Sequence, residues 1–173
     1  PQRLAELEDL LDGQVETLMS TEENIAKVIS DADVAIGSVL IPGRRAPILV
    51  TEEMVKTMKE GSVIVDIAVD QGGNFETTTH ATTHKDPVYI KHGVVHYTVA
   101  NIPGAVPRTA TLGLTNVTLR YAQEIINKGV KEAALGNSTI LTGINTYKGI
   151  LTQEGVAESQ DREYQEAKEL LKD

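Results

Sequence analysis

The chain has 173 residues, a formal net charge of −9 and no cysteine. That length suffices for one ordinary domain with a hydrophobic core, and the excess of negative charge argues against a general nucleic-acid-binding surface. The lack of cysteine excludes disulfide bonds and thiolate metal sites. No apolar run reaches the roughly 20 residues needed to cross a bilayer, and nothing resembles a signal peptide. The default expectation is therefore a cytoplasmic protein with no membrane partner.

The first predicted element is a helix at the start of the chain. Leucines recur at helical spacing over residues 4–11, and Gly13 suits the end of the helix. Residues 14–19 are a candidate for a short strand. Because the chain begins at Pro1 rather than at Met, and enters a helix with no strand before it, we expect a fold that is entered in its middle.

Two further helices are predicted from capping signals. Ser20 and Glu23 fit the capping box S-x-x-E, which predicts a helix that runs to Ile29. Thr51 caps a helix of one or two turns, which Gly61 ends.

Three apolar runs predict strands. They cover residues 33–40, 62–69 and 94–102, and a long polar segment precedes the last of them. Strands that alternate with helices at this spacing predict parallel βαβ units in a doubly wound α/β sheet. The runs are nearly continuous in Val, Ile and Ala, so we expect helices on both faces of the sheet.

The best candidate for a domain boundary is the segment 103–107, which is rich in proline and glycine. Before it the pattern alternates strands and helices, and after it the pattern is helical. A long helix is predicted over residues 109–128 with Gly129 at its end, followed by shorter helices around a turn at residues 148–149.

Small residues and glycines follow each predicted strand, in the stretches GSVLIPG, AVDQGGN and ANIPGAVP. Open parallel sheets bind ligands beyond the carboxyl ends of their strands, and small residues let a ligand approach the backbone. Asp70 ends the second run. It either contacts a cofactor ribose or relays a proton, or it caps the next turn by bonding backbone two residues on. The residues alone slightly favour the capping role.

Asp66 and the glycines around Asp70 are interpreted as structural. Asp66 lies four residues earlier and faces the same way by strand alternation, and a paired or capping carboxylate is expected there. Gly72 and Gly73 are interpreted as turn glycines that need positive φ.

The other polar residues carry weaker functional signals. The chain has four histidines: His80, His84, His92 and His96. They lack ligand spacing and an accompanying carboxylate pair, so no metal site is predicted. Arg44 and Arg45 are interpreted as solvated charge rather than phosphate ligands. Asn101 is equally open to a buried amide or a ligand contact, and Asn116 is interpreted as structural.

The strand exits carry a family resemblance. The segments DVAIGSVLIPGRRAPILVTEEMV, MKEGSVIVDIAVDQGG and HGVVHYTVANIPGAVPRTATLGLTN closely resemble the alanine dehydrogenase family, in the superfamily that also contains the transhydrogenase NAD domain. The resemblance runs from Pro1 to about Lys148. The transhydrogenase domain is similar at LIPG but lacks this aspartate and the VAN sequence, so the match favours alanine dehydrogenase.

The resemblance implies an enzyme that reversibly converts L-alanine, water and NAD+ to pyruvate, ammonium and NADH. It implies a Rossmann NAD domain inserted in a discontinuous catalytic domain, in subunits that form homo-hexamers. Residues 1–102 then correspond to the later half of a doubly wound parallel Rossmann sheet. Residues 103–173 correspond to helices that return to the catalytic domain and the oligomer interface.

Carried over residue by residue, the resemblance implies that Asp70 is catalytic, which reverses the interpretation from the residues alone. The implied NAD contacts are Arg3 and Ser20 near the adenosine, Val39 and Leu40 under its ribose, Ile67, Ala68, Val69 and Asp70 beside the nicotinamide ribose, and Val99, Ala100, Asn101 and Ile102 at the nicotinamide and substrate edge. Ile102 stands where the family usually has Met.

Several catalytic parts of the family would precede Pro1. These are the substrate-binding arginine and lysine, the catalytic histidine, the glycine-rich loop and the acidic ribose ligand, and no G-x-G-x-x-G follows a strand here. We therefore expect this chain alone to be inactive. Two alternatives stay open: the NAD-binding domain of a proton-translocating transhydrogenase, and a non-catalytic nucleotide-binding scaffold.

Overall fold

A four-stranded sheet organises the first of the two compact units into which the chain divides. The computed structural model describes residues 2–172. The first unit comprises the chain up to Val39 together with Ala46–Ala100, and the second comprises Leu40–Arg45 and the chain from Asn101 onward.

The sheet of the first unit is parallel except at one edge. The elements of this unit are α1 (Gln2–Leu10), α2 (Glu22–Asp31), β1 (Val34–Gly37), α3 (Glu52–Lys56), β2 (Val63–Asp66), a 3-10 turn (Val69–Gln71), β3 (Val88–Lys91) and β4 (Val94–Tyr97). The strands lie in the order β1-β2-β4-β3; β1, β2 and β4 are parallel, and β3 is antiparallel to β4. The predicted α/β class is confirmed, and so is the first helix.

The core of this unit lies where the sheet meets α2 and α3. Val55 of α3, Ile64 of β2 and Val94 of β4 are fully buried, and Ile29 of α2 joins the same cluster. Phe75, just beyond the turn after β2, completes it.

One face of β1 is exposed, contrary to the expectation of helices on both faces. Ala35 and Gly37 are buried, whereas Val34 is 55% exposed and Ile36 is 63% exposed. In the described residues β1 is the last strand of the sheet, and its buried Ala35 belongs to the same core cluster as Ile29 of α2. A continuous apolar run therefore marks a strand here without marking two covered faces.

Two predictions near the start are wrong in detail. Residues 14–19 form no strand; Thr17 instead donates its backbone N–H (3.3 Å) and its hydroxyl (2.5 Å) to the Glu8 carboxylate of α1. The N-cap of α2 is Thr21 rather than Ser20, and its hydroxyl oxygen accepts from the backbone N–H three residues on (3.2 Å). Both hydroxyl residues can cap a helix, so the one-residue difference rests on local backbone geometry.

Strand β3 is an addition to the predicted elements. It forms a hairpin with β4 through His92 and Gly93, which both have positive φ, 56° and 76°. Two successive positive φ values are typical of the tight turns whose twist matches that of paired strands. The fourth strand thus lies between the predicted polar segment and the predicted strand 94–102.

The second unit is mostly helical. Its elements are a 3-10 turn (Ile102–Ala105), α4 (Pro107–Gly136), α5 (Ser138–Thr142), β5 (Thr146–Tyr147), β6 (Ile150–Leu151), α6 (Glu154–Ser159) and α7 (Ala167–Leu170). Gly129 interrupts α4 with a non-helical backbone (φ 77°, ψ 160°), so the predicted stop is a break after which the helix resumes. The predicted turn at Lys148 and Gly149 joins β5 to β6. Among residues 2–172, none of the helices has the length and apolarity that a membrane crossing requires.

Candidate functional site

The three parallel strands end at one edge of the sheet. β1 ends at Gly37 and β2 at Asp66, and these two residues are register partners. Beyond them the backbone N–H of Ile67 donates to the Gly37 carbonyl (2.8 Å), which holds the two exits side by side. β4 runs in the same direction and ends at Tyr97, the register partner of Val65 in β2. The carboxyl ends of parallel strands are where open α/β sheets bind ligands.

Asp66 is a structural carboxylate, as predicted. It is fully buried. Its Oδ1 accepts from the Ala68 N–H (3.2 Å), and its Oδ2 accepts from the N–H groups of Asn74 (2.9 Å) and Phe75 (3.4 Å) and from the Thr78 hydroxyl (2.6 Å). These bonds tie the end of β2 to the segment that returns after the turn. Both oxygens of this buried carboxylate therefore accept hydrogen bonds from the protein.

Gly73 fits closely against the Asp66 carboxylate. It has a φ of 80°, and a Cβ at this position would lie 2.5 Å from Asp66 Oδ2. Gly72 has a φ of 106°. The prediction that both are turn glycines with positive φ is confirmed.

Asp70 differs from Asp66 in its position, its exposure and its hydrogen bonding. It lies in the 3-10 turn Val69–Gln71, so the strand alternation used to orient it does not extend that far. Its side chain is exposed and accepts no hydrogen bond from any residue in the range 2–172. The turn closes instead through the Gly72 N–H, which donates to the Val69 carbonyl (3.0 Å). The capping interpretation of Asp70 is therefore wrong, and its carboxylate is available to a ligand.

A groove at the exit of β1 brings two predicted residues together. Ser20 and Val39 both line it, along with the backbone of Gly37, and its volume is about 360 Å³. Gly37 is required here because a Cβ would lie 2.6 Å from the Phe75 ring. An apolar groove with a hydroxyl at its rim suits a flat ring with polar edges.

Asn74 is a residue of this edge that the sequence analysis does not identify. Its side chain is 1% exposed. Its Oδ1 accepts from the Val39 N–H (2.9 Å), and its Nδ2 donates to the carbonyls of Val39 and Pro47 (both 3.0 Å). The only sequence signal is an amide directly after a glycine pair, which is also typical of ordinary turns.

The remaining predicted residues of the first unit are of three kinds: buried, exposed and half-buried. The side chains of Ala68 (7% exposed) and Val99 (1%) are buried, so only the backbone of these residues can contribute to a site. Ile67 is 50% exposed. Arg3 lies on α1 and pairs with Glu6 at 3.0 Å, with most of its side chain in solvent. Val69 and Ala100 are half-buried at the exits of β2 and β4.

Three predicted residues lie in the second unit. Leu40 is 52% exposed and begins the loop Leu40–Arg45. Asn101 is exposed and has a left-handed backbone (φ 57°, ψ 53°), so the buried-amide interpretation is wrong. Ile102 is half-buried in the turn that follows. In that loop Arg44 is exposed, as expected of a solvated charge, and it forms an ion pair with Glu158.

Two histidines of the first unit have structural roles. His96 is fully buried; its Nε2 lies 2.7 Å from the Thr77 hydroxyl and its Nδ1 lies 2.9 Å from the Val94 carbonyl. The carbonyl can only accept, so Nδ1 carries the hydrogen and the hydroxyl donates to Nε2. Burial lowers the pKa of His96. His80 completes a stacked column with Tyr89 and His96, with ring centroids 4.7 and 5.0 Å apart. Among residues 2–172 no group of three or more acidic, histidine or cysteine side chains could hold a metal ion.

This edge of the sheet lies within a segment that known proteins share. Residues 1–154 match the family described as "Alanine dehydrogenase/PNT, C-terminal domain". The chain belongs to this family. The sequence-based assignment to the alanine dehydrogenase family is thereby confirmed.

Curated relatives of this alanine dehydrogenase/PNT family member extend the match over its whole length. It is 58% identical over 173 residues to the alanine dehydrogenase of Staphylococcus haemolyticus (strain JCSC1435). The alignment covers 100% of this chain and 46% of that protein. It is 58% identical over 171 residues to alanine dehydrogenase 2 of Staphylococcus aureus (strain USA300), covering 99% of this chain and 46% of that protein. The chain thus spans less than half the length of these relatives.

Two solved structures from the same superfamily superpose on this chain. An L-alanine dehydrogenase superposes with a TM-score of 0.77 and 46% identity, over 92% of this chain and 44% of that one. A transhydrogenase from Sinorhizobium meliloti superposes with a TM-score of 0.54 and 37% identity, over 65% of this chain and 32% of that one. The member of the family described here is more similar to the first of these two structures.

Proposed function

We propose that this chain forms the C-terminal part of an NAD-dependent alanine dehydrogenase. The reaction is L-alanine + water + NAD+ ⇌ pyruvate + ammonium + NADH + H+. The observation that supports it most strongly is the exposed Asp70 carboxylate at the exit of β2, which accepts no hydrogen bond from residues 2–172, in a chain that is 58% identical to named alanine dehydrogenases. The similarity to the transhydrogenase is lower in both identity and coverage, so that alternative is not favoured.

The exposures of the predicted residues support a set of proposed cofactor contacts. The groove lined by Ser20 and Val39 receives the adenosine end of NAD. The exposed side chain of Ile67 and the Asp70 carboxylate face the nicotinamide ribose, while Ala68 and Val99 contribute backbone only. Arg3, Leu40, Val69, Ala100, Asn101 and Ile102 complete the proposed set.

Asp70 is the group of this chain that acts on the reacting atoms. NAD supplies the acceptor for the hydride from the alanine Cα. A carboxylate beside the reacting carbon can accept hydrogen bonds from the substrate ammonium and from the water that attacks the resulting iminium, and it can hold a proton during that step. By resemblance to the family, the acid/base histidine and the glycine-rich loop come from residues outside the sequence of this chain.

The second unit has a proposed role in assembly. Its long helix α4 exposes several large apolar side chains: Leu112 (53%), Leu114 (63%), Val117 (56%), Leu119 (57%) and Ile126 (79%). Exposed apolar side chains concentrated on one element are typical of protein–protein contact surfaces. We propose that the segment 103–173 belongs to the catalytic domain and the interface of a cytoplasmic homo-hexamer.

The test is the substitution Asp70→Asn in the full-length enzyme. We expect kcat to fall by about 10²- to 10⁴-fold, the usual contribution of a positioned acid/base group, while the dissociation constant of NADH changes by less than about threefold. Asp86→Asn, at another exposed aspartate of the first unit, is the matched control and should leave both quantities unchanged. Near-normal turnover in Asp70→Asn would refute the catalytic role, and a wild-type protein that forms no NADH from alanine would refute the proposed function.

A further inference from the structure

The loop after β1 leaves the first unit and returns to it close to one buried side chain. The chain departs after Val39 and re-enters at Ala46. Asn74 bonds to the backbone on both sides of this excursion, at Val39 and at Pro47. Next to it, the Ala46 N–H donates to the Gln71 carbonyl (2.8 Å). The root of the loop is thus fixed by the segment that follows β2.

The carboxamide of Asn74 gives Val39 the same pair of bonds that a neighbouring strand would give. Its oxygen accepts from the Val39 N–H and its nitrogen donates to the Val39 carbonyl, so both backbone polar groups of one residue are satisfied by one side chain. The Val39 side chain is left 44% exposed, at the rim of the groove that it shares with Ser20. Asn74 therefore sets the direction in which residue 39 faces the groove.

Asn74 is itself held firmly. Its N–H donates to the buried Asp66 carboxylate (2.9 Å), and its carbonyl accepts from the N–H groups of Leu49 (2.8 Å) and Val50 (3.1 Å). Both hydrogens of its Nδ2 are used, one on Val39 and one on Pro47. Only a carboxamide of this length offers one acceptor and two donors here, because Asp has no donor and Ser has one donor and a shorter reach.

We propose that Asn74 is a positioning residue for the nucleotide: it fixes the backbone at Val39 so that the groove is formed before NAD binds. This inference rests on the proposed function, since it needs Val39 to contact the cofactor. A groove that is ordered in advance saves the cost of ordering it on binding, and that saving appears as affinity. Asn74 does not itself touch the reacting atoms, so it acts on cofactor affinity rather than on chemistry.

The test compares Asn74→Asp and Asn74→Ser with wild type in the full-length enzyme. We expect the dissociation constant of NADH and the KM for NAD+ to rise at least about tenfold, while kcat at saturating NAD+ and the KM for alanine change by less than about threefold. Thr77→Val is the matched control. Thr77 is as deeply buried and lies three residues further on, but its hydroxyl bonds to His96 and not to Val39. It should lower the melting temperature and leave NADH affinity intact.

The outcomes separate the inference from the proposed function. If the wild-type protein does not bind NADH, the proposed function fails and the inference fails with it. If wild type binds NADH and both Asn74 variants bind it equally well, or if Thr77→Val weakens binding as much as they do, the inference is wrong while the function stands. If neither Asn74 variant folds, the rate of hydrogen exchange at the Val39 amide in wild type tests the inference instead. Slow exchange before NADH is added is expected, and fast exchange that slows only on binding would overturn the inference.

Discussion

Asp66→Asn is the substitution whose cost can be worked out most directly from the structure. The buried carboxylate accepts one hydrogen bond at Oδ1 and three at Oδ2. An Asn side chain matches its shape but carries one acceptor oxygen and one NH2 group with two donor hydrogens. In the better of its two orientations, the oxygen takes the place of Oδ2 and keeps three bonds, and the NH2 group then faces the Ala68 N–H, donor against donor.

The expected loss follows from that orientation. One bond to a charged acceptor is lost, which costs about 1.5–3 kcal/mol, and an N–H group is left buried and unpaired. The three remaining bonds weaken because their acceptor is no longer charged. We expect unfolding free energy to fall by about 2–4 kcal/mol, which corresponds to roughly 5–15 °C in melting temperature for a domain of this size.

Urea and thermal denaturation of the full-length enzyme measure this loss, with Asp70→Asn as the control four residues away. Asp70 is exposed and unbonded within residues 2–172, so its substitution should change unfolding free energy by less than about 0.5 kcal/mol. The two substitutions should therefore have different effects: Asp66→Asn lowers stability, and Asp70→Asn lowers turnover. A change below about 1 kcal/mol in Asp66→Asn would refute the hydrogen-bond argument, since it would mean that water or another group replaces the carboxylate.

Two further predictions concern the same unit. Burial lowers the pKa of His96, so the folded state disfavours its protonated form. Above the unfolded pKa of about 6.5 this residue should not affect unfolding free energy, which should fall as the pH drops from there toward the folded pKa. His96→Gln should remove this pH dependence, as measured by urea titrations at several pH values. Gly37→Ala should lower unfolding free energy by about 1–3 kcal/mol and weaken NADH binding, because the added Cβ would lie 2.6 Å from the Phe75 ring. The control is Gly113→Ala, whose Cβ would meet nothing within 4 Å among the described residues; it should leave stability in thermal denaturation unchanged or raise it.

The positions of the parallel strands were predictable because apolar runs identify buried strands well. The predicted runs 33–40, 62–69 and 94–102 contain β1, β2 and β4, although each observed strand has only four residues. The runs continue beyond the strand ends because apolar residues follow the strands, and three of these, Val39, Leu40 and Ile67, are exposed rather than buried. The position of Asp70 just beyond β2 was predictable on the same basis, but its place in a 3-10 turn was not.

Contacts between distant parts of the chain could not be predicted in this way. Asn74 acts on Val39 and Pro47, which lie 35 and 27 residues away in the chain, and no local pattern records such a pairing. Strand β3 was missed because it has only four residues, which alternate between exposed and half-buried and so form no continuous buried run. Its hairpin signal, the His92-Gly93 pair between two β-rich segments, is present in the sequence and could have identified it.

The open edge of β1 has a consequence for handling this polypeptide. Within residues 2–172, β1 is the last strand in the sheet order and has a neighbouring strand, β2, on one edge alone; the exposed side chains of Val34 and Ile36 lie on this strand. The strand contains neither proline nor a charged residue, the features that usually keep such edges from pairing with other molecules. A concentrated solution of the 173-residue polypeptide by itself is therefore prone to intermolecular strand pairing and aggregation at this edge. Preparations meant for ligand-binding measurements should be checked for self-association before any loss of affinity is attributed to the site.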